Sequence, residues 1–363
     1  MHEIVIVKAL RTPIGTYKGS LKNLSADKLG TEVIKNLIDQ SNISVEEIDE
    51  VIMGQVLTAG QGQNPARQAS VNAGIPISKP AHIINQVCGS GLRAIISGYQ
   101  SIMLNDSKIV ISGGQENMSK APHSIFYREE KKFNENQLHD TMIKDGLIDA
   151  FNNYHMGVTA ENVSQKYGIS RKEQDEFALN SQNKAKNAIT KKLFKNELIK
   201  ITDEKNNIIL EIDEHPRINL NIQDLNKLKT VFKENGTVTP GNSSGINDGA
   251  AGVILTTKKI AETKSLEILG KIISWSSVGV EPSLMGLGPI EAIKSAVKKA
   301  NWDIDEVDLF EINEAFAAQS IAVIKELNLD YEKINVNGGA IALGHPIGAS
   351  GARIVVTLLH EMK

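Results

Sequence analysis

Two distant parts of the sequence follow the same order of short motifs. Residues 29–53 and 287–310 each open with Leu-Gly, continue with Glu-Val-Ile-Lys or Glu-Ala-Ile-Lys, and then reach Ile-Asp-Glu-Val and an apolar pair. Further on, Ser90-Gly91-Leu92-Arg93 is echoed by Ser350-Gly351-Ala352-Arg353. One short echo arises by chance, but several in the same order indicate a duplicated unit. We therefore expect two similar halves, one beginning near Met1 and the other near Ser265.

Each half alternates apolar strand-like runs with helical patterns, which predicts an α/β fold of mostly parallel sheets covered by helices. Residues 118–245 repeat nothing and are rich in charge, with a basic run at Lys184, Lys186, Lys191, Lys192, Lys195 and Lys200. Such a run is usually a solvated helix face, and the alternative is a patch that attracts a phosphate-bearing ligand. A long insertion over an α/β core often forms a substrate-binding cap. We expect three parts: 1–117 with 246–264, then 118–245, and 265–363.

The repeat also predicts where strands fall in the second half. In the first half, the helix after Cys88 is followed by a strand at 108–112 and the turn Gly113-Gly114. The corresponding strand of the second half would lie beyond Lys363. We expect either that the natural chain continues past this residue or that the strand has been lost.

Composition excludes several classes of protein. The net charge is −3, which gives no reason to expect a nucleic-acid or membrane partner. No apolar run approaches the ~20 residues of a spanning helix, and Met1 to Val7 read as a strand rather than a signal peptide. The single cysteine fits a reducing compartment, and no metal-binding cluster of cysteines and histidines is visible. We expect a cytoplasmic protein without a metal.

The single cysteine, Cys88, stands between a short apolar run and a helical pattern. This places the thiol at a strand-to-helix junction, where unpaired N–H groups and the helix dipole favour the thiolate. A thiolate at such a position is a nucleophile. The alternative is an inert, buried cysteine that acts as a small apolar residue.

His345 lies in a segment, 337–351, that contains five glycines. Through the repeat, Cys88 corresponds to Gly348, so His345 precedes the mirror position of the thiol by three residues. If the halves pack about a pseudo-twofold axis, His345 faces Cys88 and can take its proton. The alternative is a structural histidine in a turn.

Asn313 follows the strand-like run 307–310, at another junction. Its amide can donate to an oxyanion, directly or through water, and the alternative role is a helix cap. Asn247-Asp248-Gly249 has the pattern of a plain turn.

Motifs along nearly the whole chain resemble those of the thiolase family, closest to its acetyl-CoA C-acetyltransferase type. The resemblance implies a duplicated, five-layered αβαβα fold with an inserted loop domain that binds coenzyme A. The motifs are Arg11-Thr12-Pro13-Ile14-Gly15, Asn64-Pro65-Ala66-Arg67, Cys88-Gly89-Ser90-Gly91, Gly113-Gly114-Gln115-Glu116-Asn117-Met118-Ser119, His155-Met156-Gly157, Gly241-Asn242-Ser243-Ser244-Gly245, Asn313-Glu314-Ala315-Phe316 and Gly344-His345-Pro346-Ile347-Gly348.

The same resemblance assigns roles to individual residues. Cys88 would carry the acyl group as a thioester, His345 would activate it, and Asn313 with His345 would stabilise the enolate of a second acyl-CoA. The positions expected to contact the pantetheine and acyl part are Met156, Ser244, Ala315 and Phe316, with Arg217 near the adenine nucleotide. His155 matches the short-chain type. Acetyl-CoA and acetoacetyl-CoA would be substrates, no cofactor is implied, and family members are usually homodimers or homotetramers.

One departure keeps other functions open. Family members carry a second cysteine, in a Cys-x-Gly motif on the last strand, that deprotonates the α-carbon of acetyl-CoA, whereas this sequence has Cys88 alone. Losing a general base costs about 10²–10⁴-fold in rate. The expected function is acetoacetyl-CoA synthesis or thiolysis by Claisen chemistry. The alternatives are a non-catalytic acyl-CoA-binding protein of thiolase fold, a longer-chain 3-ketoacyl-CoA thiolase, or a cysteine hydrolase that uses Cys88, His345 and Asn313.

Overall fold

The computed structural model describes residues 3–128 and 137–363 and has the α/β architecture that the sequence predicts. Its strands are β1 (Ile4–Arg11), β2 (Gly15–Thr16), β3 (Glu50–Gly54), β4 (Ala81–Ile84), β5 (Ile109–Asn117), β6 (His123–Ser124), β7 (His139–Asp140), β8 (Ile201–Thr202), β9 (Ile208–Leu210), β10 (Asn247–Thr257) and β11 (Gly270–Lys271).

The helices connect these strands and cover them. They are α1 (Ala26–Asp39), α2 (Pro65–Asn72), α3 (Ser90–Met103), α4 (Met156–Tyr167), α5 (Arg171–Thr190), α6 (Ile222–Asn226), α7 (Lys258–Thr263), α8 (Gly288–Ala300), α9 (Ala317–Leu327), α10 (Ala340–Leu343) and α11 (Ser350–Glu361). A π-helical segment spans Met142–Leu147, and short 3₁₀ turns span Val45–Glu47, Leu193–Asn196, Pro282–Leu287, Ile304–Glu306 and Tyr331–Lys333.

The main sheet has the strand order β11-β1-β10-β5-β3-β4, with β2 paired to β10. Strands β3, β4 and β5 are parallel, whereas β10 runs antiparallel to both β1 and β5. The prediction of mostly parallel sheets is therefore only partly correct, because β10 returns from the inserted region in the opposite direction. The turn predicted at Asn247-Asp248-Gly249 is wrong, since these residues begin β10 and pair with β2 and β5.

Each face of this sheet is covered by helices. Side chains of α1 and α2, among them Leu29, Val33 and Ala69, form one core with one face of the sheet. Side chains of α3 and α11, among them Ile95 and Val356, form a second core with the other face. Because α11 belongs to the second half of the chain, this second core joins the two halves.

The duplicated Ser-Gly motifs meet where α3 and α11 begin. A Cβ on Gly91 would lie 2.7 Å from the backbone N of Ala352, and a Cβ on Gly351 would lie 2.4 Å from that of Leu92. Both distances are too short for a side chain, so only glycine allows the helices to approach this closely. This contact places the segment before α3 beside the segment before α11.

Buried ion pairs link residues 118–245, the predicted insertion, to the main sheet. The Arg11 guanidinium on β1 donates to Glu197 at 2.5 Å and to Asp213 at 2.7 and 2.9 Å, and all three side chains are buried. In the basic run, Lys184 donates to the backbone carbonyls of Tyr331 and Ile334, while the other five lysines are exposed. No helix among the described residues is both long and apolar enough to cross a membrane.

Candidate active site

Cys88 lies in the short connection between β4 and α3, at the strand-to-helix junction that the sequence predicts. The preceding residue, Val87, has φ +48°, a left-handed conformation that is strained for a β-branched side chain. The Ser90 hydroxyl stabilises this turn, because it accepts from the Gln86 N–H at 2.8 Å and donates to the Val87 carbonyl at 2.6 Å. In this turn Cys88 is half-buried.

His345 approaches the thiol from the second half of the chain. Its Nε2 lies 3.2 Å from the Cys88 Sγ. The backbone N–H of His345 donates to the Asn247 side chain at 2.9 Å, and Gly344, with φ +105°, packs so closely on Asn247 that a Cβ would lie 2.6 Å from its Cγ. The β10 residue Asn247 therefore holds the loop that presents His345.

A buried serine determines which imidazole nitrogen carries the proton. The Ser350 Oγ donates to the Pro346 carbonyl at 2.9 Å and lies in hydrogen-bond contact with His345 Nδ1. Because its proton is committed to Pro346, Ser350 accepts from Nδ1–H, which assigns the proton to Nδ1. The Nε2 lone pair then points at the Cys88 thiol as a proton acceptor.

Asn313 lies on the same side of the imidazole as the thiol. Its Nδ2 is 3.5 Å from His345 Nε2, and its Oδ1 is buried without a hydrogen-bond partner among the described residues. The alternative of a helix cap is wrong, because α9 begins at Ala317 and its N-cap residue is Phe316. The structure thus brings together Cys88, His345 and Asn313, which the sequence places far apart.

The electrostatics of the pair differ from the prediction of a resting thiolate. Burial raises the pKa of the Cys88 thiol to about 11, opposed by its own backbone N–H and reinforced by the Glu116 carboxylate. Burial also lowers the pKa of His345 to about 4, and the Arg353 guanidinium adds to the effect. The thiol precedes the first turn of α3 and packs among apolar side chains, including Met142 and Ile347. The effect of this burial on the thiol pKa is therefore larger than that of the helix dipole. At neutral pH the pair is a neutral thiol beside a neutral imidazole.

Most of the predicted substrate-contacting residues gather in a second cluster. Met156, Ala315 and Phe316 pack with Phe232, whose ring stacks on that of His155 at 4.6 Å. The Ser244 backbone N–H donates to the Ala315 carbonyl at 3.0 Å, which brings Ser244 to the edge of this cluster. Phe316 follows Asn313 by three residues, so the same chain segment carries both.

Arg217 stands apart from these residues. Its side chain is exposed, and its backbone N–H donates to the Gln182 side chain at 2.8 Å. The contacts of the described residues do not connect it with the aromatic cluster. No group of three or more histidine, cysteine or acidic side chains within residues 3–128 and 137–363 is arranged to hold a metal ion.

Comparison with known proteins decides the family. Residues 4–259 match the family described as "Thiolase, N-terminal domain", and residues 266–363 match "Thiolase, C-terminal domain". The chain belongs to the thiolase family.

Similar proteins match this thiolase over nearly its whole length. It is 52% identical to the rat "Acetyl-CoA acetyltransferase, cytosolic", covering 99% of this chain and 92% of the rat protein. It is 50% identical to the Pseudomonas aeruginosa "Acetyl-CoA acetyltransferase", covering 100% of this chain and 93% of that protein. The crystal structure of the Bacillus anthracis acetyl-CoA acetyltransferase superposes with a TM-score of 0.97 at 41% identity, covering 100% of this chain and 92% of that one.

Several residues of this thiolase site were not predicted. Phe232 lies in the charge-rich insertion, where a single aromatic residue gives no periodic signal. Asn247 has the pattern of a turn. Ser350 and Glu116 lie inside motifs, but neither their residue type nor their spacing indicates a role in the site. For Ser350, its identity with Ser90 in the duplicated Ser-Gly motif was an available signal, because Ser90 also binds the turn before its helix.

Proposed function

We propose that this thiolase is an acetyl-CoA C-acetyltransferase, which makes or cleaves acetoacetyl-CoA through a thioester on Cys88. The observation that carries the proposal is the 3.2 Å contact between His345 Nε2 and Cys88 Sγ, with Asn313 beside it. The names of the rat and Pseudomonas aeruginosa relatives support the substrate and do not favour a binding-only protein or a longer-chain thiolase.

In the first half-reaction the Cys88 sulfur attacks the carbonyl carbon of acetyl-CoA, while the thiol proton moves to His345 Nε2. The coenzyme A thiolate then leaves and takes this proton from His345, so that acetyl-Cys88 and free coenzyme A result. Because the pair is neutral before the substrate binds, a negative charge develops only in the transition state, where stabilising it accelerates the reaction. Asn313 is positioned to donate to the oxygen of an enolate, directly or through water.

The second half-reaction needs a base that removes a proton from the α-carbon of another acetyl-CoA. The carbanion then attacks the acetyl-Cys88 carbonyl, acetoacetyl-CoA forms, and Cys88 leaves as a thiolate, which regains as its thiol proton the one that the base removed. The family resemblance assigns the base to a second cysteine, and Cys88 is the one cysteine of the 363 residues. The acylation half-reaction is therefore the step that the residues of this chain support directly.

We propose that the aromatic cluster around Phe232, Phe316 and His155 binds the pantetheine and acyl part of the substrate. His155, Met156, Ser244, Ala315 and Phe316 supply an apolar wall with a polar edge, which suits an amide-bearing chain that ends in a thioester. We assign Arg217 to the adenine nucleotide on the resemblance alone. We further propose that no cofactor takes part, that the enzyme forms homodimers or homotetramers, and that it is cytoplasmic, as the rat and mouse relatives are named.

Mass spectrometry of the intact protein tests the acylation step. Wild-type chain given acetyl-CoA should gain one acetyl group, and peptide mapping should place it on Cys88. Cys88→Ser should gain none on that peptide, and His345→Ala should acylate about 10²–10⁴-fold more slowly. Acetylation at another residue, or none of the wild-type chain, would overturn the proposal.

A further inference from the structure

One buried carboxylate close to the reactive centre has no place in the mechanism above. Glu116 is the next-to-last residue of β5 and is completely buried. Its carboxylate accepts from the backbone N–H groups of Val56 at 3.0 Å, Leu57 at 3.3 Å and Gly348 at 3.0 Å. Within residues 3–128 and 137–363 it forms no ion pair with a basic side chain, which is unusual for a buried acid.

These three backbone groups come from different halves of the chain. Val56 and Leu57 follow β3, and their side chains belong to the apolar cluster around Cys88. Gly348 lies in the loop that presents His345, three residues after it. Glu116 therefore links the wall of the Cys88 pocket to the loop of its base.

The surrounding backbone leaves the Gly348 peptide little freedom. A Cβ on Gly114 would lie 2.2 Å from the Gly348 carbonyl oxygen, and one on Gly54 would lie 2.8 Å from it. The Gly348 carbonyl thus packs against glycines of two strands, while the Gly348 N–H, which belongs to the preceding peptide group, donates to Glu116. Moving the carboxylate would leave this N–H without that acceptor.

The charge of Glu116 also acts on the thiol. The ionisable groups that interact with it are Cys88 and, on the adjacent strand β10, Asp248. Burial raises the pKa of Glu116 to about 7, with Asp248 adding to the effect and the three backbone N–H groups opposing it. Burial is the main cause of the raised pKa of the Cys88 thiol, and an ionised Glu116 adds to it because it disfavours a second negative charge there.

We propose that Glu116 is a positioning residue for acyl transfer, which holds the His345 loop against the apolar cluster around Cys88 and places its carboxylate between them. The proposal rests on the proposed role of Cys88 as the acylated nucleophile. Its two effects have opposite consequences when the carboxylate is replaced. Losing the charge makes the thiolate easier to form, whereas losing the position makes transfer to acetyl-CoA slower.

Two substitutions separate these effects. Glu116→Gln removes the charge and keeps one acceptor oxygen, and Glu116→Asp keeps the charge but shortens the side chain. For each variant, the pH dependence of Cys88 alkylation by iodoacetamide gives the apparent pKa of the thiol, and rapid-quench mass spectrometry gives the rate of acetylation by acetyl-CoA. Glu161→Gln is the matched control, because Glu161 is also a buried acid that accepts from backbone N–H groups, those of Thr237 and Val238, in the inserted region.

We expect Glu116→Gln to alkylate with a lower apparent thiol pKa than the wild type, yet to acetylate about 10²-fold more slowly, the cost of a small misplacement of reacting groups. Glu116→Asp should keep the apparent thiol pKa and still acetylate more slowly. Glu161→Gln should keep the wild-type thiol pKa. Looser packing alone would change the thiol pKa of both Glu116 variants in the same way. A difference in thiol pKa between them therefore shows that the charge of Glu116 acts on the thiol.

Wild-type acetylation rates in both Glu116 variants, or an unchanged thiol pKa in Glu116→Gln, would overturn the proposal. If Glu116→Gln does not fold, Glu116→Asp decides, because acetylation at the wild-type rate would then exclude a positioning role. The proposed function fails separately, when the wild-type chain is alkylated at Cys88 but is not acetylated by acetyl-CoA. In that case the alkylation profiles still test whether Glu116 acts on the thiol.

Discussion

The imidazole of His345 lies 3.2 Å from the sulfur of Cys88, although the two residues are 257 positions apart in the chain. Each is presented by a turn with an unusual backbone, Val87 at φ +48° before the cysteine and Gly344 at φ +105° before the histidine. A strained residue such as Val87 costs about 1–3 kcal/mol and persists only where its surroundings fix it. The pair is therefore held in place before substrate arrives, which reduces the entropy lost in reaching the transition state.

Replacing Ser350 should weaken the base without removing it. In Ser350→Ala, Nδ1–H of His345 loses its acceptor, so the tautomer that presents N–H to the thiol becomes accessible. We expect acetylation of Cys88 to slow by about 10²-fold, the lower end of what a general base contributes, as measured by rapid-quench mass spectrometry with acetyl-CoA.

Ser350→Thr is the control for this prediction, because it keeps a hydroxyl at the same position. It should retain more of the acetylation rate than Ser350→Ala, after thermal melts show that both variants are folded. Equal rates for Ser350→Ala and the wild type would show that Ser350 does not set the tautomer.

The reactivity of the free thiol should depend on pH in an unusual range. Because the pKa of Cys88 is raised from 9.0 to about 11, alkylation by iodoacetamide should still be rising at pH 9–10. At pH 8 the thiolate fraction should be about a hundredfold below that of an ordinary cysteine. A plateau in the alkylation rate near pH 8 would contradict this prediction.

Acetylation by acetyl-CoA should follow His345 on the acid side. Since the pKa of this imidazole is lowered from 6.5 to about 4, the neutral base persists well below pH 6. The histidine should therefore cause loss of activity only as the pH falls toward 4, and not near 6.5. The pH dependence of acetylation is also measured for Glu116→Gln. Because this variant lacks the Glu116 carboxylate, its profile contains no titration of that group.

The sequence predicts the meeting of Cys88 and His345 because the fold is duplicated. Once Ser90-Gly91 and Ser350-Gly351 are aligned, the segments before them become equivalent, and the close packing of α3 on α11 makes them neighbours. Asn313 was placed with this pair through the family resemblance, because its residue pattern alone fits a helix cap as well. The prediction for Cys88 and His345 depends on local pattern and symmetry, which a single sequence contains.

Other features depend on the tertiary environment and were missed for that reason. The helix dipole suggested a thiolate at Cys88, but burial among apolar side chains dominates, and these come from distant segments. Asn247 has the residue types of a turn, yet sheet pairing with β2 and β5 overrides this preference. Phe232 contacts His155 across the inserted region, a pairing without a sequence period.

Removing the Asn313 amide should slow the reaction that passes through an enolate while leaving the reactivity of the free Cys88 thiol nearly unchanged. Its Nδ2 lies 3.5 Å from His345 Nε2 rather than in contact with the sulfur, so alkylation of Cys88 should change little in Asn313→Ala. Turnover of acetoacetyl-CoA with coenzyme A, followed by loss of its enolate absorbance, should fall by about 10²–10³-fold, the cost of one oxyanion donor. The measurement uses a wild-type preparation that shows this turnover as its reference. A parallel fall in alkylation and thiolysis would instead indicate a general disturbance of the site.

The close approach of Gly114 to Gly348 should make the site sensitive to a single added methyl group. In Gly114→Ala the Cβ would lie 2.2 Å from the Gly348 carbonyl oxygen, so the loop that carries His345 must shift. Overpacking of this kind costs about 1–3 kcal/mol of unfolding free energy, measurable by urea denaturation, and the shift should also slow acetylation of Cys88. Gly279→Ala is the matched control, because its Cβ would meet no atom within 4 Å, and it should change the stability by less than about 0.5 kcal/mol. If Gly114→Ala is as stable and as rapidly acetylated as this control, then the loop is not held by backbone packing against Gly114, and hydrogen bonds such as those of Asn247 and Glu116 hold it instead.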